Sequence, residues 1–123
     1  MALKAVRTTL KSLGQFILER RTMLGLRGRE LVAQVLNGDG KPISIPYLVD
    51  LEHDRRKPSD RVLEQLATAL KTDSDILYHL AGRIPPDLTP SVVSEDRLAA
   101  AWRAFRRELG VDGKAPQARS GER

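Results

Sequence analysis

The chain has 123 residues, 41% of them hydrophobic and 30% charged, with no cysteine and a formal net charge of +5; this fits one small globular domain with a modest extension and leaves no room for a second full domain. Disulfides and thiolate metal sites are excluded, His53 and His79 are the only imidazoles, and aromatic residues at 4% are too sparse for the stacking platforms that hold single-stranded nucleic acid. The basic balance favours an acidic partner, no apolar run is long enough for a bilayer, and Lys4, Arg7 and Lys11 interrupt the N-terminus where a signal peptide would carry its apolar core, so a cytoplasmic protein with no membrane contact and no cofactor is expected.

Leu3, Val6, Leu10, Leu13, Ile17 and Leu24 recur at helical spacing, with Phe16 beside them and Arg7, Lys11, Glu19 and Arg20 off the stripe. A first amphipathic helix is expected there. Thr8, Thr9 and Ser12 are each able to cap it, Gly14 weakens its interior, and Gly25 is placed to end it. Arg27 to Leu36 then read as a second short helix that buries Leu31, Val32 and Val35. Asn37, Gly38, Asp39, Gly40, Lys41 and Pro42 end it. That loop has the alternating Asn and Asp of a calcium loop, but Leu48 stands where the bidentate carboxylate would have to be, so it reads as a surface turn or small wing. No phosphate-binding Gly-x-x-x-x-Gly-Lys-Ser/Thr pattern follows it either.

The stretch from Ser44 to Pro58, S-I-P-Y-L-V-D-L-E-H-D-R-R-K-P, organises the rest. Ser44 is a good N-cap, and Pro46 in the first turn lacks only an N–H that would have gone unpaired. Leu48 and Leu51 share an inward face, which turns Ile45, Pro46, Val49 and Asp50 partly or wholly outward. Arg55, Arg56 and Lys57 follow at the negative end of the helix dipole. They read either as a solvated capping cluster or as groups that meet a phosphate backbone. Ser59 caps a fourth helix with Val62, Leu63, Leu66, Ala67 and Leu70 inward, and Asp73 or Ser74 caps a fifth with Ile76, Leu77 and Leu80 inward and Gly82 as its stop. Pro85 and Pro86 mark a boundary. Thr89 and Pro90 are placed to open a sixth helix striped by Leu98, Ala101, Trp102, Phe105 and Leu109 and ended by Gly110, and residues 111–123 have the composition of a disordered tail. The organisation expected is 1–84 for the main domain, 85–110 for a linker and sixth helix, and 111–123 for the tail. His53 reads as a helix-end residue, and Tyr78 and His79 as packing and surface positions.

From Leu13 to about Leu88 the sequence resembles the helix-turn-helix DNA-binding domain of the lambda-repressor and Cro class, specifically the XRE-like regulators. The likeness is carried by Leu13, Gly14 and Ile17, by Arg21, by Gly25 and Leu26, and by Glu30 and Leu31. It continues through the I-S-x-x-Y-L-x-x-L-E of Ile43 to Glu52, the R-R-K-P-S of Arg55 to Ser59 and the L-A-G of Leu80 to Gly82. The resemblance implies an all-α, five-helix domain with an additional C-terminal helix, in which the second helix crosses the DNA backbone and the third enters the major groove. It makes Ile45, Pro46 and Asp50 the base readers: isoleucine packs on a thymine methyl, and an aspartate can only accept, for which a cytosine N4 amino group is the natural donor. Asp50 is also readable as an outward charge that repels wrong phosphates. Arg27, Arg29, Lys41, Ser44, Tyr47, Arg55, Arg56 and Lys57 become candidate phosphate contacts, and Arg21 is implied to pair with Glu52 to fix the reader's angle.

Two departures from the family pattern are visible. The loop from Asn37 to Pro42 replaces a tight turn, and Gly28 stands where the family commonly has a phosphate-binding Gln, with Arg27 and Arg29 beside it. Three function classes follow. The first is a sequence-specific transcriptional regulator, a repressor, acting as a homodimer through Leu98, Trp102, Phe105 and Leu109; the sixth helix folding back on the Leu3, Val6 and Leu10 stripe is the competing arrangement. The second is a DNA-binding antitoxin whose C-terminal segment takes a protein partner. An enzyme is the weakest reading, since no catalytic constellation or cofactor motif is present.

Overall fold

The computed structural model of the protein describes residues 11–88 and 93–111. The expected stripe of Leu3, Val6 and Leu10, the caps at Thr8 and Thr9, the start at Thr89 and Pro90, and the tail from residue 112 lie outside the described residues. Among those described, the fold is all-α: α1 (Leu13–Met23), α2 (Gly28–Val32), α3 (Ile45–Glu52), α4 (Asp60–Ala69), α5 (Ser74–Leu80) and α6 (Glu95–Leu109). The chain divides into two units, with the division after Leu88, and a 3-10 turn at Pro86–Leu88 closes the first.

Local chemistry sets the helix ends. Ser12, Ser44, Ser59 and Asp73 are the N-caps of α1, α3, α4 and α5, each side-chain oxygen accepting from a backbone N–H of the first turn. Such caps satisfy donors that the helix itself leaves unpaired, at about 1 kcal/mol each. α2 is capped differently. The Arg27 N–H donates to the Glu30 carboxylate at 2.7 Å, but a guanidinium has no acceptor to return the favour. Gly25, at φ 73°, turns the chain out of α1, so that the Leu26 N–H reaches back to the Arg21 carbonyl.

One core joins all five helices of the first unit. Leu13 and Ile17 of α1 meet Leu31 and Val32 of α2, Leu48 and Leu51 of α3, Val62, Leu63, Leu66 and Ala67 of α4, and Leu77 and Tyr78 of α5. Two expectations need correction. α2 stops at Val32 and not at Leu36, because the chain tightens into i to i+3 bonds (Gln34 to Leu31, Val35 to Val32) and then runs extended to meet Ile43. Ile76 is 36% exposed, because α5 presents Leu77 and Tyr78 to the core instead. Tyr78 takes that place since its hydroxyl, which would be costly to bury alone, donates to Glu64 at 2.8 Å.

The second unit is α6, capped by Ser94 and ended by Gly110 in the left-handed region. Within the described residues it starts at Glu95, where Ser94 supplies the cap. Leu98, Trp102, Phe105 and Leu109 follow one another at helical spacing, all exposed. The Trp102 and Phe105 rings meet edge to face, with centroids 5.6 Å apart.

Candidate nucleic-acid interface

α3 has one side in the core and one side in solvent. Leu48 and Leu51 are nearly fully buried, whereas Ile45 and Val49 are 44% and 39% exposed and Pro46 is exposed with them. Transferring an isoleucine side chain out of water is worth about 1.5–3 kcal/mol, and much of that is left unclaimed on this face.

The angle of α3 is fixed at its C-terminal end by two separate contacts with α1. Arg21 of α1 donates through Nε to Glu52 Oε2 at 2.8 Å and through Nη2 to Oε1 at 3.2 Å, and through Nη1 to the Leu26 carbonyl at 3.0 Å. This forked pair is largely sequestered, the side chains being 17% and 9% exposed. A bidentate guanidinium bond sets an orientation as well as a distance. Beyond it, Asp54 turns left-handed at φ 60° and its carboxylate accepts from the Gly14 N–H at 2.8 Å. A residue just beyond α3 therefore holds the first turn of α1, where a negative charge also suits the dipole. α1 and α3 come so close here that a Cβ on Gly14 would lie 2.5 Å from the Glu52 carbonyl oxygen and 2.6 Å from that of Leu51.

The connection between α2 and α3 is a closed structure. Leu36 and Pro42 form an antiparallel bridge, the Asn37 N–H donates to the Lys41 carbonyl at 2.7 Å, and the Ile43 N–H to the Val35 carbonyl at 2.9 Å. Inside the loop the Asn37 side-chain oxygen accepts from Asp39 at 2.8 Å and Lys41 at 3.1 Å. Outside it, Gln65 of α4 accepts from the Leu36 N–H at 2.6 Å.

Four of the expected phosphate contacts are brought together. Ser44, Tyr47, Arg56 and Lys57 line one open cleft of about 450 Å³, with Asn37, Gly38 and Pro42 of the loop on its other wall. Ser44 Oγ accepts from the Tyr47 N–H at 3.1 Å, which leaves its own proton to donate outward. The Arg56 guanidinium lies 4.9 Å from the centre of the Tyr47 ring, a cation on an aromatic face. Burial raises the Tyr47 phenol pKa, and the Arg56 charge partly offsets this. Arg27, Arg29, Lys41 and Arg55 are exposed but do not line the cleft. Gly28, between the two arginines, sits where α2 starts against α3: a Cβ there would be 3.5 Å from Leu48 Cδ2 and 3.8 Å from Ile45 Cδ1. His53 is the C-cap of α3, its Nδ1 2.8 Å from the Val49 carbonyl oxygen.

Asp50 does not stand alone. Its carboxylate pairs with Arg55 at 3.1 Å and with Arg56 at 3.8 Å.

Several positioning residues escape a reading from sequence. Arg20 looks like an off-stripe surface cation, yet it donates to the carbonyls of Leu70 and Lys71 at 2.8 and 2.6 Å and so closes α4. Arg83 donates to Asp60 at 3.1 Å and to the Pro58 carbonyl, tying the exit of α5 to the start of α4. Asp54 had one available signal, since Asp is among the few residues that enter the left-handed region readily.

Among the described residues no helix is long and apolar enough to cross a membrane, and no three His, Asp or Glu side chains gather where they could hold a metal ion. No protein-family model matches the chain, and no solved structure matches it. Over 79 residues it is 35% identical to two proteins, one from each of two strains of Mycobacterium tuberculosis, and each is named as an uncharacterized HTH-type transcriptional regulator. The matched stretch is 64% of this chain and 52% of each relative, so the chain spans about half the length of the curated relatives it matches. Across that stretch it is similar to helix-turn-helix transcriptional regulators.

Proposed function

We propose that the chain is a sequence-specific regulator of the XRE type that binds double-stranded DNA through α3, acts as a dimer and represses by occupying its site. One observation carries the reading: a helix locked to its scaffold by Arg21 and Glu52 presents Ile45, Pro46 and Val49 to solvent beside a cleft lined by Ser44, Tyr47, Arg56 and Lys57. Apolar readers at the front of a helix with hydroxyls and cations at its flank suit base edges and phosphates respectively. In this reading Ile45, Pro46 and Asp50 face the bases. Arg27, Arg29, Lys41, Ser44, Tyr47, Arg55, Arg56 and Lys57 serve the backbone. The regulator names of the two relatives support it.

The dimer is assigned to α6 and to a second copy running antiparallel. A single α3 reads few base pairs, so a two-fold pair spanning half-sites one helical turn apart is the working unit. The first turn of α6 carries Glu95 and Asp96 and its last turn Arg106 and Arg107, so antiparallel copies set acid beside base at both ends of the Leu98, Trp102, Phe105 and Leu109 stripe. A helix of this length, about 22 Å, makes a contact at the small end of the range, below about 1,200 Å². The dimer is therefore weak in solution and gains from DNA that holds both copies.

Selection of duplexes from a random pool tests DNA binding and finds the site together. Bound sequences should contain two related half-sites, and affinity should fall by about 10³ to 10⁵ between 50 and 200 mM salt if the dimer neutralises about six to ten phosphates. Lys57→Ala should weaken all sequences alike, and Ile45→Ala should change the base preferred at one position. Recovery of no enriched sequence, or an Ile45→Ala effect equal on selected and random DNA, would sink the groove assignment.

A further inference from the structure

We propose that Asp50 makes phosphate binding by Arg55 and Arg56 conditional on the base in front of α3, so that one carboxylate couples backbone affinity to sequence. The proposal rests on the DNA-binding reading above. Asp50 lies in the last turn of α3, on the side where Ile45 and Val49 are exposed. Its Oδ1 is 3.1 Å from Arg55 Nη2 and accepts from Arg55 Nε at 3.2 Å, and its Oδ2 is 3.8 Å from Arg56 Nη2. Two of the three cations that leave α3 are thereby partnered within the molecule.

These pairs are not needed to end the helix. The His53, Asp54 and Arg55 N–H groups already bond the carbonyls of Val49, Leu51 and Asp50, and Asp54 supplies the left-handed turn. On stability grounds the position is a poor one for an acid, since the last turn faces the negative end of the dipole. The arginines are also half exposed, at 57% and 52%. Exposed pairs add little to stability, so a phosphate can take either arginine from Asp50 at little cost.

The exchange leaves a carboxylate bare beside the DNA backbone. A carboxylate has acceptor sites only. Where a cytosine presents its N4 amino group, Asp50 gains a donor as it loses the arginines. Elsewhere the fit is poorer, since guanine and thymine present acceptors and adenine's N6 amino group lies beside its N7 acceptor, which repels a carboxylate: either Arg55 and Arg56 stay on Asp50 and phosphate contacts are lost, or a poorly paired anion sits among phosphates. Both alternatives weaken binding to the wrong sequence.

The test compares wild type, Asp50→Asn and Asp50→Glu on two 20-base-pair probes, a mixed-sequence duplex and an alternating A·T duplex that contains no cytosine. Binding is read by fluorescence anisotropy across a salt series from 50 mM, and melting curves check the fold. Asp50→Asn should bind the A·T duplex about tenfold more tightly than wild type, with a slope of log affinity on log salt steeper by about 1 to 2, as one or two more phosphates are engaged. Its gain on the mixed duplex should be smaller, and comparing the two gains removes any contribution of Ile45 or of groove shape. Asp50→Glu, which keeps the charge, should not reproduce the gain on the A·T duplex. An Asn variant with no gain, with equal gains on both probes, or with an unchanged slope overturns the proposal. Failure of both wild type and the Asn variant to bind either duplex overturns the DNA-binding reading and the proposal with it.

Discussion

Replacing Gly14 by alanine gives opposite answers from sequence and from structure. Alanine is the better helix former by about 1 kcal/mol, so an internal helical glycine looks like a site to improve. The structure places the new Cβ 2.5 Å from one carbonyl oxygen of α3 and 2.6 Å from another. Both obstacles are backbone, so no side chain can swing aside; α1 and α3 must separate by several tenths of an ångström. Overpacking of this kind costs about 1–3 kcal/mol, and two backbone clashes put it in the upper half of that range. The shift also strains the bond between the Gly14 N–H and Asp54. The net expectation is a loss of about 1–2 kcal/mol, or roughly 5–15 °C in melting temperature for a unit of this size. Thermal unfolding followed by circular dichroism measures it, with Gly28→Ala as the control: its Cβ meets only side-chain atoms at 3.5 and 3.8 Å and should leave stability equal or slightly higher. A Gly14→Ala protein as stable as wild type would refute the claim that the approach of α1 to α3 requires glycine.

Glu52→Ala strips Arg21 of its forked partner while leaving it the Leu26 carbonyl, and breaking a largely buried pair from one side should cost on the order of 3 kcal/mol in urea unfolding; a loss under about 1 kcal/mol would mean that solvent already screens the pair. The Tyr78 phenol is pushed up to about 12 by burial, by its bond to Glu64 and by nearby acidic charge. Its unfolded value is about 10, and a group raised on folding contributes stability that is whole below the unfolded value and is lost as pH rises through the folded one. Stability should therefore fall between about pH 10 and 12; Tyr78→Phe should flatten that window, and an unaltered profile in the variant would show that other groups cause the fall. Trp102→Ala with Phe105→Ala should leave a folded protein that sediments as a monomer at concentrations where wild type associates, and equal association of the two would move the interface away from α6.

The sequence made some features legible and hid others for definable reasons. Ser44, Pro46, Leu48 and Leu51 announce α3 because caps and helical periodicity act within a few residues. Ser59 and the Val62, Leu63 and Leu66 stripe do the same for α4. What stayed hidden are bonds between residues far apart in the chain, such as Asp54 to Gly14, Arg20 to the end of α4 and Gln65 to Leu36. No local pattern encodes them. Ile76 was misplaced because a helix of two turns carries too few residues for its stripe to be unambiguous, and the Tyr78 hydroxyl decided the matter through Glu64. At the candidate site the cations were evident from composition. Their partners were not, since whether Arg55 faces a phosphate or Asp50 depends on side-chain placement.

The bonds that close the α2–α3 connection bear on how much its length matters. The chain segments entering and leaving are held together at Val35 with Ile43 and at Asn37 with Lys41, and Gln65 anchors the near side from outside. Gly38, Asp39 and Gly40 hang beyond that clasp, so the tip is mechanically insulated from the start of α3. Extra residues at the tip would add only loop-closure entropy, about 0.6 kcal/mol for each doubling of length, without moving the helix. The tip is thus a place where this chain can accept a grafted peptide or a fluorophore tag, and where chains of the same architecture can differ in length while the helix that follows keeps its bearing.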